Sequence, residues 1–386
     1  MAERALVTGG AGFVGSYIVD ALLADGWKVT VLDTLEPQVH GSLDAPPPYL
    51  SGEAEFVRGD VRDTALVGRL LDRTDVVFYE AALVGVGQSM YDIARYVAGN
   101  TQAAATFLEL VVARRDRIRK MIVASSMSCY GEGSYVDAHG HPVAVRPRPR
   151  AQLEAHRWEP LGPDGAELSP RPTSEEKPLA PTSVYAVTKR DHEELFLSVG
   201  IAYRIPVVAL RYFNVFGPRQ ALSNPYTGVA AIFSSRLLNG AAPVVFEDGC
   251  QSRDFVHATD VAQANVLAAT QSAADYEVVN VGAGRRITVG EIAQGLWTRI
   301  SGKDETRPVY LSQFREGDIR HCFADITRAR TLLRYEPRVG FEQGLEGLIE
   351  WVARQNASDG FERAHRELVE RGLVAGAEGG RPATRV

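Results

Sequence analysis

The 386-residue chain has few cysteines, no long apolar run and no excess of positive charge. The three cysteines, Cys129, Cys250 and Cys322, are scattered and odd in number, so neither a disulfide framework nor a zinc site is expected. No apolar stretch reaches the roughly 18 residues that a membrane span requires. The net charge of −6 gives no support to nucleic-acid binding. We therefore expect a cytoplasmic protein without membrane or nucleic-acid partners.

Short apolar segments alternate with helical patterns along the first two thirds of the chain. This alternation predicts an α/β fold with a parallel, doubly wound sheet. The predicted strands cover residues 4–8, 28–33, 55–60, 75–79, 120–125 and 207–211. We expect a Rossmann domain over residues 1–210, with residues 250–275 returning to it, and a smaller α/β substrate-binding domain over 211–355.

Two segments depart from this pattern. Residues 132–180 form a long proline- and arginine-rich insertion, which is typical of a lid or of a disordered flap. His139 and His141 fall inside it, and we interpret them as solvated side chains, so no metal site is expected. The tail, residues 372–386, has too little apolar surface to fold and is predicted to be disordered.

A glycine-rich turn near the start of the chain predicts a dinucleotide site. Gly9, Gly12 and Gly15 stand between a predicted strand and a predicted helix, where a pyrophosphate would bind. The second strand ends at Asp33, whose carboxylate is suited to accept hydrogen bonds from ribose hydroxyls and to repel a ribose phosphate, which favours NAD over NADP. Asp60, in a turn after the third strand, is a candidate for binding the adenine amine.

The candidate catalytic set is Ser126, Tyr185 and Lys189. Tyr185 and Lys189 are four residues apart and share one face of a helix, so the ammonium would make the phenol more acidic. Free tyrosine titrates near about 10, and a base near neutral pH needs this lowered by roughly 3 units. Lys189 and the positively charged nicotinamide are the two charges that could do so. Ser126 follows a strand, at the edge where doubly wound sheets bind ligands.

These motifs resemble an extended short-chain dehydrogenase/reductase, specifically the NAD-dependent nucleotide-sugar epimerase/dehydratase family. The likeness covers roughly residues 4–352 and continues through later motifs that begin at Asn100, Arg211, Gln251 and Arg315. It implies NAD as cofactor and a nucleotide-diphosphate sugar as substrate. It also implies a homodimer formed through helices that include the Tyr185 helix.

The resemblance assigns roles to individual positions. Ser126 would hydrogen-bond the reacting hydroxyl, Tyr185 would be the acid/base, and Lys189 would hold the nicotinamide ribose. The implied cofactor site comprises Gly9, Gly12, Phe13, Val14, Gly15, Asp33, Asp60, Val61, Ala81, Ala82, Asn100, Tyr185 and Lys189. The implied substrate site comprises Ser89, Ser126, Ser128, Asn214, Arg219, Arg253 and Asp318, of which Arg219 and Arg253 carry guanidinium donors suited to a diphosphate.

The residues after Ser126 favour one reaction of the family. Dehydratases usually carry an Asp-Glu pair where this chain has Met127 and Ser128, and no glutamate adjoins Ser126 to support decarboxylation. Epimerisation at carbon 4 needs only one base, a tightly held NAD and room for the sugar to turn. A catalytically silent NAD-binding sensor is an alternative from another class, but it would need none of the three catalytic residues.

The substrate is less narrowly indicated. The segments starting at Pro37, Gly85 and Ala221, and the long insertion, resemble the subgroup that contains dTDP-L-rhamnose 4-epimerases. A UDP-hexose 4-epimerase and a UDP-glucuronate 4-epimerase or decarboxylase are the alternatives. Arginines at 146, 148 and 150 could meet an acidic sugar. Tyr79-Glu80 also stands where the family usually has His-Leu before two alanines.

Overall fold

Seven parallel strands form the central sheet in the computed structural model, which describes residues 2–222, 224, 228–315, 317–355 and 359–375. The strands are β1 (Arg4–Thr8), β2 (Lys28–Asp33), β3 (Glu55–Arg58), β4 (Val76–Tyr79), β5 (Lys120–Ser126), β6 (Ser134–Val136), β7 (Pro142–Val143), β8 (Ser169–Arg171), β9 (Val207–Tyr212), β10 (Asn214–Phe216), β11 (Val244–Phe246), β12 (Ser252–Arg253), β13 (Phe255–His257), β14 (Glu277–Val281), β15 (Ile287–Thr288), β16 (Val309–Leu311), β17 (Phe314–Arg315), β18 (His321–Cys322) and β19 (Val374–Ala375). The central sheet has the order β3-β2-β1-β4-β5-β9-β14.

Helices cover both faces of this sheet, as the alternating sequence pattern predicts. The helices are α1 (Phe13–Ala24), α2 (Pro37–His40), α3 (Thr64–Leu71), α4 (Val86–Ser89), α5 (Ile93–Tyr96), α6 (Ala103–Val112), α7 (Arg150–Glu154), α8 (Val184–Tyr203), α9 (Val229–Leu238), α10 (Ala258–Thr270), α11 (Val289–Ile300), α12 (Phe341–Val352) and α13 (Phe361–Glu370). Short 3₁₀ segments and two π-helical segments, Val97–Gln102 and Ala329–Leu333, connect them. The doubly wound α/β fold is confirmed.

Alternation along the buried strands divides the core into two layers. On β1, Val7 packs on the face that carries α1 and α10, whereas Leu6 packs on the face that carries α3, α6 and α8. Strand order reverses between β1 and β4, and ligands of such sheets bind at the carboxyl ends of the strands near this point. The sheet therefore sets the location of the functional site.

Short strands and helices after residue 213 build a second, smaller region beside the sheet. Its core joins side chains of α9, α11 and α12, including Phe233, Leu296 and Leu348. Strand β14 and helix α10 belong instead to the large sheet and its α1 face. The returning segment therefore extends to Val281, beyond the predicted limit at 275, while the division into two domains stays a proposal.

The insertion is ordered rather than a disordered flap. Its strands β6, β7 and β8 form a three-stranded antiparallel sheet in the order β7-β6-β8. His139 and His141 lie in the exposed turn between β6 and β7, where His141 Nδ1 is 3.3 Å from an oxygen of Asp137. Proline and arginine content alone did not show that this segment has strand partners.

The prediction of a disordered tail is wrong for its first residues. Strand β19 pairs antiparallel with β17, and Val374 is buried. The rest of the predicted tail, residues 376–386, lies outside the described residues. Helix α13, directly before β19, packs its buried Phe361 and Leu368 against Phe246. No helix of the described ranges is long and apolar enough to cross a membrane.

Candidate active site

A cavity of about 920 Å³ opens at the carboxyl ends of the central strands. Its walls run from the glycine turn after β1, past the ends of β4, β5 and β9, to the second region and helix α13. The cavity therefore joins the predicted cofactor site to the predicted catalytic residues.

The glycine turn forms a cradle that larger side chains would fill. A Cβ on Gly15 would lie 2.3 Å from the Gly9 carbonyl oxygen, and one on Gly12 would lie 3.1 Å from the same atom. Gly9 has a φ of +68°, which favours glycine. Helix α1 begins after Gly12 without a side-chain cap, so its first amides face the cavity as donors for an anion. This close backbone and free donor set fit the pyrophosphate of NAD.

Beyond the glycine turn, the cofactor part of the cavity carries carboxylates that are suited to bind a nucleoside. Asp33 is 8% exposed, lines the cavity, and accepts hydrogen bonds from the amides of Ala11 (3.0 Å) and Leu35 (2.9 Å). These amides fix the carboxylate at the end of β2. Asp60 also lines the cavity, beside Val61, but is held in an ion pair of 2.6 Å with Arg62. Phe13, Val14, Ala81 and Ala82 complete the lining that the sequence predicted here.

The three candidate catalytic residues line one part of the same cavity. Ser126 ends β5, and its oxygen accepts hydrogen bonds from the amide and the hydroxyl of Ser128, at 3.1 and 2.9 Å. Tyr185 and Lys189 lie one turn apart on α8, which begins at a Ser183 cap. The ammonium of Lys189 donates to the carbonyl oxygen of Ala124 at 2.8 Å. Sequence positions 126, 185 and 189 are therefore brought together.

The pKa of Tyr185 does not shift in the direction that the sequence analysis expected. Burial raises the pKa of Tyr185 above its ordinary value, and a hydrogen bond with Ser126 only partly opposes this rise. Burial also lowers the pKa of Lys189, which the nearby carboxylate of Glu80 opposes. The dominant influence on the phenol is therefore its desolvation and not the ammonium of Lys189.

A buried polar network fixes the strand that carries Ser126. The preceding residue, Ser125, donates to Glu193 at 2.8 Å, and Glu193 forms a two-pronged ion pair with Arg211 at 2.6 and 2.9 Å. Arg211 also donates to the Tyr130 hydroxyl at 2.7 Å. These side chains tie β5, α8 and β9 together behind the catalytic wall.

Two predicted binding residues lie behind the cavity wall instead of in it. The hydroxyl oxygen of Ser89 accepts a hydrogen bond from the Tyr185 amide at 3.0 Å, and Ser89 is fully buried. Asn100 is also fully buried. Its Oδ1 accepts a hydrogen bond from the Leu83 amide at 2.7 Å, and its Nδ2 donates to the Leu83 carbonyl oxygen at 3.1 Å and to the Thr188 hydroxyl at 3.0 Å. Neither is among the described lining residues of the cavity. Both hold the 83–89 segment against α8, so they support the site without direct access to a ligand.

Of the residues predicted to contact the phosphates and the nucleoside, three line the cavity and one does not. Asn214, Arg253 and Asp318 line the cavity, and the buried Oδ1 of Asn214 has no hydrogen-bond partner within the described residues. Arg253 donates to the carbonyl oxygen of Ile319 at 2.7 Å and approaches Asp318 at 3.5 Å. Arg219 is not among the described lining residues.

Arg219 packs against α1 instead. It pairs with Asp20 at 2.8 Å and lies over the ring of Tyr17, 4.3 Å from its centroid. The sequence analysis assigned Arg219 to the diphosphate because its guanidinium group carries suitable donors. Its position after the motif at Arg211 did not indicate the direction of its side chain.

Several lining residues were missed by sequence reasoning. Glu80 and Tyr212 face the catalytic residues, and Phe246, Arg315 and part of α13 close the opposite end. The replacement at Glu80 was visible in the sequence as a departure from the family pattern. No local signal indicated that α13 returns to the cavity, because that contact joins residues more than 100 positions apart.

The insertion reaches this end of the cavity through buried ion pairs. Arg148 forms a two-pronged pair with Glu247 at 2.9 and 3.0 Å and donates to the Asp318 carbonyl oxygen at 3.2 Å. Arg320 pairs with Glu159 and Asp248, both at 2.6 Å. The charge of Arg148 is therefore paired within the protein, and the suggestion that it meets an acidic sugar stays a prediction.

Fold and site together define a dinucleotide-dependent α/β enzyme with a serine, tyrosine and lysine in one cavity. A model described as the NAD dependent epimerase/dehydratase family matches residues 5–155 and 160–282, and the chain belongs to this family. Its cofactor is NAD, and its general activity is that of an NAD-dependent nucleotide-sugar epimerase.

Individual relatives agree with this assignment over nearly the whole chain. The chain is 32% identical to a dTDP-L-rhamnose 4-epimerase of Burkholderia thailandensis, over 92% of this chain and 96% of the relative. A UDP-glucose 4-epimerase of Thermotoga maritima, solved with UDP-glucose, has a TM-score of 0.72 and 31% identity, covering 91% of this chain and 99% of that one. A UDP-glucuronic acid 4-epimerase of Bacillus cereus, solved with UDP-glucuronic acid and NAD, has a TM-score of 0.73 and 28% identity, with the same coverage.

Proposed function

We propose that the protein is a 4-epimerase of a dTDP- or UDP-linked hexose, acting by transient oxidation at carbon 4 of the sugar. The observation that carries this proposal is the shared cavity, in which the glycine cradle and Ser126, Tyr185 and Lys189 line one continuous wall. This chemistry requires the base and the nicotinamide to lie close to the same sugar carbon, and a shared cavity wall supports such an arrangement.

In the proposed mechanism Tyr185 takes the proton of the 4-hydroxyl group, while Ser126 hydrogen-bonds the same oxygen. NAD, when bound, supplies a reversible hydride acceptor. Tyr185 later returns the proton after the 4-keto sugar has turned about its diphosphate linkage. Small residues on the wall, Ala81, Ala82, Gly85 and Gly87, leave room for this turn.

Binding of NAD also addresses the high pKa of Tyr185. Burial raises that pKa, so the phenol by itself is a poor base near neutral pH. The positive charge of oxidised nicotinamide, added to that of Lys189, would favour the phenolate. Proton removal would then be efficient only in the enzyme that already holds its cofactor.

The surroundings of Ser126 favour epimerisation over the other reactions of the family. Met127 and Ser128 follow it, and neither side chain can remove a proton from carbon 5 as dehydration requires. In the substrate part, Asn214, Arg253 and Asp318 are the proposed contacts to the phosphates and the nucleoside.

A neutral or deoxygenated sugar is favoured over a uronate. The cavity wall is apolar at Val84, Val86 and Met90, and Arg148 is held in its own ion pair. The similarity to a dTDP-L-rhamnose 4-epimerase points in the same direction. We therefore place dTDP-6-deoxyhexoses first among the candidates and UDP-hexoses second.

A panel of dTDP- and UDP-sugars, with UDP-glucuronate included, tests the proposal. Purified protein is incubated without added NAD, and products are followed by proton NMR. Conversion to a carbon-4 epimer is expected, and Tyr185→Phe should reduce it roughly 10²–10⁴-fold while NAD stays bound. A keto-deoxy product, loss of carbon dioxide, unchanged turnover by Tyr185→Phe, or silence across the panel would each contradict it.

We also propose that the protein is a cytoplasmic homodimer. Val187 and Ile201 on α8 and Val97 beside it are exposed apolar side chains, from 42% to 63% accessible, which supports a partner on this face. The three cysteines are free, which suits a reducing compartment. Light scattering of wild type and of Val187→Lys tests the dimer: the variant should be monomeric, and an unchanged mass would exclude this face.

A further inference from the structure

Glu80 places a carboxylate on the cofactor side of the cavity. It directly follows β4 and precedes Ala81 and Ala82, and it lines the cavity that the glycine turn and Lys189 also line. The pattern implied by the family resemblance has a leucine here, so this chain carries a charged side chain where an apolar one was expected. A carboxylate in such a partly buried position needs partners to offset its loss of hydration.

One partner is the hydroxyl of Tyr212, 3.0 Å from an oxygen of Glu80. The same hydroxyl lies 2.7 Å from Nδ2 of Asn265, which can only donate. The single proton of Tyr212 can point at Glu80 or at Oδ1 of Asn265, each of which lies 3.0 Å from the hydroxyl oxygen. When the proton points at Glu80, the carboxyl group is the acceptor of this hydrogen bond.

A second influence on Glu80 is the charge of the Lys189 ammonium, which lines the same cavity. Lys189 donates to the carbonyl oxygen of Ala124 on β5, and the β4–β5 register pairs Tyr79 with Val123, so Glu80 and Ala124 follow as the next neighbours. Adjacent strands are about 4.8 Å apart, which places the two charges at one rim of the sheet. Burial raises the pKa of Glu80, and Lys189 is the main opposing influence; Glu80 in turn opposes the fall in the pKa of Lys189.

We propose that Glu80 is a charge-balancing residue for the resident cofactor, which favours the oxidised, positively charged nicotinamide over the reduced, neutral one. The proposal rests on the proposed function only in placing the nicotinamide beside Tyr185 and Lys189, and not on the sugar. Its consequence is that return of the hydride to the keto sugar would be favoured, because the reduced, neutral cofactor would gain less from the nearby negative charge than the oxidised one.

Chemical reduction of the bound NAD tests this without any sugar. Sodium cyanoborohydride is added to the purified holoenzyme, so that one hydride, with its two electrons, moves from boron to carbon 4 of oxidised nicotinamide. The rate is followed by the near-ultraviolet absorbance of reduced nicotinamide. The variants are Glu80→Gln, which keeps an acceptor for Tyr212, and Glu80→Leu, which removes it.

The matched control is Glu194→Gln, which removes an equal charge from the exposed side of α8, where Glu194 pairs with Arg190 at 2.7 Å. Both Glu80 variants should be reduced about tenfold faster than wild type, since one nearby charge is worth about that factor. The control should match wild type.

Equal rates in all four proteins would overturn the proposal, as would slower reduction of the Glu80 variants. Loss of NAD from Glu80→Gln would also overturn it, because the residue would then hold the cofactor and not set its charge. A faster rate in the Glu80 variants, together with no epimer from any sugar of the panel, would uphold this inference and reject the proposed function.

Discussion

The two ends of the cavity are built in different ways. The cofactor end uses one compact stretch, in which a strand, a glycine turn and helix α1 follow each other within residues 4–24. The substrate end brings together the insertion, β11, β17 and α13, which are far apart in sequence and are held by buried ion pairs such as Arg148–Glu247 and Arg320–Glu247. The first end depends on close backbone contact, and the second depends on charges that must all be paired.

The sharpest test of the compact end is Gly15→Ala. A Cβ there would lie 2.3 Å from the Gly9 carbonyl oxygen and 2.7 Å from the Cα of Gly10, so the turn must open. We expect loss of bound NAD, loss of all turnover, and a fall in the free energy of unfolding of about 3 kcal/mol. Cofactor content and urea unfolding measure these effects.

Gly52→Ala is the control for that change, since a Cβ at Gly52 would meet nothing within 4 Å. It should keep its NAD and its stability. Retention of NAD by Gly15→Ala would show that the turn is more adaptable than close backbone contact implies.

At the substrate end, Arg320→Ala should cost roughly 3–5 kcal/mol of unfolding free energy. Arg320 is 1% exposed and pairs with Glu159, Glu247 and Asp248, so its removal takes a buried cation from three carboxylates and leaves the buried Glu247 with Arg148 alone. Arg330→Ala is the matched control, because that exposed pair with Glu336 should be worth at most about 1 kcal/mol. Similar losses in the two variants would mean that the buried network does not hold this end together.

The same network gives the substrate end a dependence on acid. Burial would raise the pKa of Glu159, but hydrogen bonds from His321 and Arg320 outweigh it and lower the pKa to about 2. Because the folded-state pKa lies below the unfolded value, near about 4.3, this contribution is complete above the unfolded value and is lost as pH falls toward about 2.

Glu159→Gln should therefore cost about 2–3 kcal/mol at neutral pH and much less near about pH 2. Glu154→Gln, in the exposed pair with Arg150 of the same insertion, is the control and should follow the wild-type curve at every pH. Urea unfolding across this pH range is the measurement. Parallel curves for wild type and Glu159→Gln would contradict the assigned sign.

The contrast between the two ends also explains what the sequence could predict. The glycine turn, Asp33 and the pair Tyr185 and Lys189 are recognisable because each role depends on neighbours within one turn or one strand. The direction of the Arg219 side chain and the supporting roles of Ser89 and Asn100 depend on tertiary contacts, which spacing does not encode. The ordered insertion escaped for the same reason: Arg148 looks like a solvated cation until Glu247, 99 residues away, is brought against it.

The smallest expected effect concerns the last element of the substrate end, helix α13. Leu368 is 6% exposed, and its Cδ2 would lie 3.3 Å from a Cβ at Gly87, so it bridges α13 and the apolar part of the cavity wall. Leu368→Ala should cost about 2 kcal/mol of stability, the low end for a buried leucine, because its cluster is small. If α13 shapes the sugar end of the cavity, KM should rise several-fold with kcat nearly unchanged, as expected when binding is lost equally in ground and transition states. Val369→Ala, one residue on and 40% exposed, should change neither quantity. A fall in kcat without a change in KM would instead place α13 among the elements that orient Tyr185, and would weaken the division between the two ends.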